Sequence, residues 1–185
     1  MTDQVFAVDR AVDAALLLAA DRPWSSITLF EIAQAAGVPF AELYSRAPSK
    51  LALIDRLSCR YDQAALAAAE DEADGEIHDR LFEVAMARLE AMEPHRAVLI
   101  AIARAEGPVF SLRRLPRTAR ALLEAAGVDT SGRKGALRLV AMSAVWGRTL
   151  QVWQDDEGAL NRTMAELDKL LKTMRRRLGR VGSGF

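Results

Sequence analysis

The sequence predicts an all-α protein, and three observations carry that prediction. Apolar residues recur at i, i+3 and i+4 through most of the chain, and strand-type alternation is nearly absent. Alanine, leucine and arginine, all good helix formers, dominate the composition. Capping residues, glycines and prolines divide the chain into helix-length pieces. The 185 residues make one domain or two small ones, enough for a real core.

The first helix is expected over residues 5–21, with Val5, Val8, Val12, Leu16 and Ala19 on one face. Trp24 follows in a turn, where a large ring serves as a staple for a small core. Thr28 and Glu31 fit a capping box, in which each side chain satisfies a free backbone N–H of the first turn. Leu29, Ile32, Ala33 and Ala36 continue at helical spacing. Gly37 ends that helix by taking the left-handed conformation. Pro39 suits the first turn of the next helix, which carries Phe40, Leu43 and Tyr44 at i, i+3, i+4. Pro48 stops it, and Ser49 caps another. Two short helices across a tight glycine turn form a helix-turn-helix.

A long helix is expected from Ser49 to about Ala73, carrying Leu51, Ile54, Leu57, Tyr61 and Ala65. Asp74-Gly75 marks a turn. Residues 62–93 are strongly acidic, which reads as a solvated helix face. The next helix runs from Glu76 to Met92, with Ile77, Leu81, Val84, Ala85 and Met92 inward. Pro94 opens a helix over roughly 94–105, and Gly107-Pro108 breaks it. A helix from Ser111 to Ala126 follows, kinked or delayed by Pro116. Residues 133–154 form the most apolar helix, with Leu137, Val140, Ala141, Ala144 and Val145 on one face. A polar turn at 154–158 leads to the last helix, 159–179. There Met164, Leu167, Leu171, Met174 and Leu178 repeat as a heptad seam.

Residues 28–50 resemble the TetR family of bacterial regulators. The family pattern of a Thr N-cap, I-A, A-G-V, an aromatic seven residues after the Gly, and Ser-Lys is met without a gap. The matching residues are Thr28, Ile32-Ala33, Ala36-Gly37-Val38, Tyr44 and Ser49-Lys50. The likeness covers about residues 5–57. It implies a three-helix, helix-turn-helix head over 1–48 and a helical ligand-binding and dimerisation body over 49–180; the Gly-Ser-Gly-Phe composition separately predicts a disordered tail at 181–185. The resemblance also implies a double-stranded DNA operator. Thr28, Tyr44 and Lys50 would hold phosphates, and Phe40, Ala41 and Arg46 would meet bases or sugars, with Pro39 opening the reading helix. The sequence departs from the pattern at these contacts. Pro39 and Phe40 stand where the family is polar or basic, Ala41-Glu42 where it has Gly and Thr or Ser, and Ala47 where it has an aromatic. Arg10, Arg22, Arg46 and Lys50 face Asp3, Asp9, Asp13, Asp21, Glu31 and Glu42 within residues 1–50, a net charge of −2.

The resemblance further implies an apolar pocket in the body, with Phe82, Met86, Leu89, Phe110, Met142, Trp146, Leu150 and Trp153 as candidates; for any one of them core filling is the simpler explanation. Arg148 stands out in the apolar helix. It would bind an acidic ligand head, pair with a carboxylate, or snorkel to solvent. The last two helices resemble the pair that joins TetR proteins as homodimers, which assigns Leu137, Val140, Ala144, Met164, Leu167, Leu171 and Met174 to an interface. The same seam also suits packing within one chain.

A second resemblance covers residues 79–174. DRLFEVAMARLEAMEPHRAVL, QVWQDDEG and NRTMAELDKLL are similar to TetR-fold accessory proteins of ubiquinone biosynthesis. Those proteins bind isoprenoid lipid and dock on a membrane or an enzyme. The run Lys169, Lys172, Arg175, Arg176, Arg177 and Arg180 suits a peripheral membrane contact, or simply complements a helix C-terminus.

Catalytic chemistry is not expected. His78 and His95 lack metal-ligand spacing to a second His, Cys or carboxylate motif, Cys59 has no glycine elbow or neighbouring His in sequence, and no glycine loop cradles a phosphate. No cofactor or metal is anticipated. The single cysteine suits a reducing cytoplasm, zero net charge gives no global argument for nucleic acid, and no signal peptide or membrane-spanning run is visible. The leading expectation is a ligand-responsive DNA-binding transcriptional regulator, with repression as the expected mode. The alternative is a lipid-binding accessory protein whose head has lost DNA binding.

Overall fold

The computed structural model describes the backbone of residues 2–71, 75–156, 160–180 and 182, with side chains from residue 7 onward except at 70, 71, 110 and 111. Every regular element among these residues is helical. The α-helices are α1 (Thr2–Asp21), α2 (Leu29–Ala35), α3 (Phe40–Arg46), α4 (Lys50–Asp71), α5 (Ile77–Met92), α6 (Arg96–Glu106), α7 (Pro108–Ala125), α8 (Gly132–Asp155) and α9 (Asn161–Arg180). Short 3-10 turns occupy Trp24–Ser26 and Glu93–His95.

Prolines account for two of the boundaries that differ from the sequence expectation. Pro94 sits inside the 3-10 turn, so α6 starts two residues later. Pro108, expected as a breaker, instead opens α7, which continues through Pro116. A proline at a first helical position loses no intrahelical bond, because its missing N–H is one of the free ones. The turn expected at Asp74, the end of the polar turn at 157–158, and most of the tail lie outside the described residues.

The chain forms two compact units. The first gathers Met1–Arg60 and His95–Pro108, more chain than the expected 1–48 head; the second gathers Tyr61–Pro94 and Val109–Phe185. In the first unit, α1 packs on α2, α3 and α6. Its buried stripe is mostly alanine (Ala7, Ala11, Ala15 and Ala19, with Val12 and Leu16), and small side chains let neighbouring helices approach closely. Trp24, Ile27, Ile32, Leu43, Leu53, Leu57 and Ile102 fill the centre. Trp24 donates its indole N–H to Glu106 at 2.7 Å, so the staple has its polar atom satisfied. Arg56 and Arg60 of α4 reach Asp9 of α1 at 3.0 and 3.2 Å. Hydrogen bonding from Arg56 leads in holding the Asp9 carboxyl below its ordinary range. These pairs are partly exposed, so they orient α1 on α4 more than they stabilise it.

In the second unit, α9 packs along α8 and on α5. Leu81, Leu89, Leu122, Leu123, Trp146 and Trp153 are among its largest fully buried side chains. The carboxylate of Asp156, itself buried, accepts from the backbone N–H of Thr163 at 2.9 Å and its hydroxyl at 2.8 Å, fixing the first turn of α9. Gly135 is required where α8 meets the loop before it: a Cβ there would lie 2.1 Å from the carbonyl carbon of Thr130.

Candidate nucleic-acid interface

The candidate interface is built from α2, α3 and the turn between them. The capping box at Thr28 is formed in full. The Thr28 hydroxyl accepts from the Glu31 N–H at 3.2 Å, and the Glu31 carboxylate accepts from the Thr28 N–H at 2.8 Å. Arg22 adds an ion pair to Glu31 at 2.8 Å. The backbone N–H of Thr28, then its hydroxyl, then Arg22 lower the Glu31 pKa to about 2.

Gly37 ends α2 with φ 62°. The N–H of Val38 bonds the Ala33 carbonyl at 3.0 Å, and that of Gly37 bonds the Gln34 carbonyl at 3.1 Å. This is the Schellman arrangement, and it fixes the direction in which the chain leaves the helix. Pro39 stands one position before α3 rather than in its first turn, with ψ 129°. Its carbonyl accepts from the N–H groups of Glu42 and Leu43, both at 3.0 Å. The oxygen starts the helix, which is why a residue without an N–H is tolerated there.

Within α3 the apolar residues divide. Leu43 is fully buried, whereas Phe40 is 39% and Tyr44 54% exposed. Phe30 of α2, which sequence reasoning passed over, is 51% exposed. The signal for it was its place off the buried face of Ile32 and Ala33. Phe30 and Phe40 meet edge to face with centroids 5.4 Å apart, and Phe40 lies 5.8 Å from Tyr44. Thr28, Pro39, Ala41 and Arg46 are also exposed, so six of the seven residues singled out for DNA are open to solvent.

Lys50 is the seventh and differs. Its ammonium donates to the Trp24 carbonyl at 2.6 Å and stands 4.5 Å from the centre of the Trp24 ring. Burial leads in lowering its pKa, opposed by Glu106 and Glu31. Lys50 therefore ties the start of α4 to the Trp24 turn.

The body residues are distributed less as expected. Met86, Leu89, Met142, Trp146 and Trp153 are buried, Phe82 and Leu150 are half-buried, and the Phe110 side chain lies outside the described residues. Trp153 donates its indole N–H to Glu93 at 2.7 Å. Arg148 is exposed, 3.6 Å from Glu166 and hydrogen bonded to Gln151, so carboxylate pairing and exposure to solvent, two of its three readings, are both present.

The buried guanidinium is that of Arg88 on α5, 3% exposed. Its Nε donates to Asp62 at 2.9 Å and its Nη2 to Thr118 at 3.3 Å, and it lies 5.0 Å from the Trp146 ring centre. The signal was available: Arg88 falls on the face defined by Leu81, Val84, Ala85 and Met92.

The proposed interface residues also divide. Leu137, Val140, Ala144 and Met164 are exposed, but Leu167, Leu171 and Met174 are buried by their own chain. Those three are already covered, because α9 turns its seam toward α8 and α5. An open trough of about 830 Å³ along α9 is lined by charged and polar side chains, including Lys169, Lys172, Arg175 and Arg176. No described helix is long and apolar enough to cross a membrane.

The sequence matches no protein-family profile and no curated protein. Solved structures do match. A TetR transcriptional regulator from Nitrosomonas europaea ATCC 19718 superposes with a TM-score of 0.72 at 24% identity, over 90% of this chain and 97% of that one. A TetR transcriptional regulator from Rhodococcus sp. RHA1 superposes with a TM-score of 0.65 at 17% identity, over 93% and 97%. The chain therefore has the all-α TetR fold.

Proposed function

We propose that this chain is a homodimeric DNA-binding transcriptional regulator of the TetR type. The observation that carries the reading is the outward face of α3. A capping box and a Schellman turn set the angle between α2 and α3, Leu43 anchors α3 from behind, and Phe40, Ala41, Tyr44 and Arg46 are left free in front. That is the arrangement a helix needs to enter a major groove while its neighbour crosses the backbone. The likeness to two solved regulators supports the same reading.

Dimerisation in this reading uses α8. Ala136, Leu137, Val140 and Ala144 leave an exposed apolar stripe, with Val140 68% exposed. Two heads would read half-sites about one helical turn apart, or a multiple of that. An apolar effector would act on the body interior, where Met86 and Met142 can repack around Trp146. By favouring one arrangement it would shift the fraction of dimers that bind the operator, releasing a repressed promoter.

The test is binding of the purified protein to DNA from beside its own coding region, with a scrambled duplex as control. Sequence preference that weakens steeply with salt is expected. Binding without preference at low salt overturns the reading. With Lys50 bonded to Trp24, Arg46, which the resemblance placed at bases or sugars, becomes the candidate phosphate contact, and Arg46→Ala should lower the salt slope by about one. Lys50→Ala is the poorer probe, because it also removes the bond to Trp24.

A further inference from the structure

We infer that the head recognises thymine in its operator through the ring of Phe40, by contact with the C5 methyl group. This rests on the DNA-binding reading above and names what that site reads. Phe30, Phe40 and Tyr44 form one exposed aromatic cluster on α2 and α3. An apolar patch left in water at such a place marks a contact surface. The edge-to-face packing of Phe30 on Phe40 holds the ring in place before any partner arrives, so little rotamer freedom is lost on contact.

The chemistry of α3 selects the partner group. Pro39, Phe40 and Ala41 carry no side-chain donor or acceptor. The hydroxyl of Ser45 donates to the carbonyl of Glu42 in its own helix at 2.8 Å. In the first turn of α3 the half-buried Glu42 carboxylate is therefore the one side chain able to accept from a base edge, and the exposed residues beside it, Phe40 and Ala41, offer only apolar surface. In the major groove every base offers donors or acceptors, and only thymine adds an apolar group. Beyond the cluster, Arg46 is exposed and has no ion-pair partner among the described residues, so it complements a phosphate. An apolar ring bordered by a free cation suits duplex DNA at a thymine rather than an apolar protein surface.

The test begins with selection of preferred duplexes from a random pool by the wild-type protein. Each thymine in the selected half-site is then replaced by deoxyuridine, which removes only the methyl group. A fixed thymine should emerge, and its replacement should weaken wild-type binding about fourfold per half-site, the value of one buried methyl. Phe40→Ala should bind the thymine and deoxyuridine duplexes equally. If the wild-type protein prefers its selected duplex but is indifferent to every deoxyuridine replacement, the inference is overturned and the regulator reading stands. If no preferred duplex is recovered, the DNA-binding reading fails and takes this inference with it.

Discussion

Helices α3 and α9 carry apolar residues at the same helical spacing but use them in opposite ways. On α9, Leu167, Leu171, Met174 and Leu178 are all buried, none more than 4% exposed. On α3, Leu43 alone goes inward, while Phe40 and Tyr44 remain open. The difference lies in what surrounds each helix. α9 lies along α8 and against α5, so its seam meets a partner from Leu167 onward. α3 is seven residues long and meets α1 and α2 on one side only. Periodicity marks a face; a neighbour decides whether the face becomes core. The charged residues teach the same lesson. Arg148, in the most apolar stretch of sequence, is exposed, whereas Arg88, in an ordinary amphipathic helix, is buried beside Trp146.

The largest expected effect comes from the seam. Leu171→Ala should destabilise the protein by roughly 2–5 kcal/mol, the usual result of deleting buried methyl groups, read as a lower denaturant midpoint. A loss near zero would place Leu171 outside the core and return it to the dimer interface. Val140→Asp, on the exposed face of α8, should raise the dimer dissociation constant about tenfold or more, since an interfacial charge without a partner costs over ~1.4 kcal/mol. Sedimentation at graded concentrations measures this, and an unchanged dimer would move the interface elsewhere.

Thr28→Ala should cost about 1 kcal/mol by removing the N-cap of α2. The partner Glu31 gives that cap an acid limb. Its folded pKa of about 2 lies below the ordinary 4.5, so its stabilisation is present above pH 4.5 and fades as pH falls toward 2. The stability difference between wild type and Glu31→Gln should shrink across that window in acid-denaturation curves, and a constant difference would show that the carboxylate charge is not involved. The smallest effect is at the aromatic cluster. Phe40→Ala should change stability by no more than ~0.5 kcal/mol, because the ring lies at the surface, 39% exposed, and outside the buried core. A loss comparable to that at Leu171 would make Phe40 a core residue and remove the basis for its role in recognition.

Much of the fold was legible because its signals are local. The Thr28–Glu31 box, the glycine turn at 37 and the Ser49 cap each act within a few residues, and each forms as the sequence predicts. The outward residues of α3 were legible as well, since the helix-turn-helix spacing fixes which side of a short helix faces away. Lys50 was not, because its partner Trp24 lies 26 positions earlier in the chain. Phe30 was missed because its meaning depends on Phe40 in the next helix, and Arg88 because its partners come from α4, α7 and α8.

The sequence by itself determined that the chain is helical, where most helices begin and end, and that two short helices meet across Gly37. Those features follow from backbone hydrogen bonding and conformational preference, which each residue carries wherever it is placed. Only the tertiary structure decided which of several equivalent apolar stripes is core and which is surface. It also decided which arginine is buried and which lysine is already occupied. Burial and pairing are properties of residues brought together from distant parts of the chain, and no stretch of sequence contains both partners.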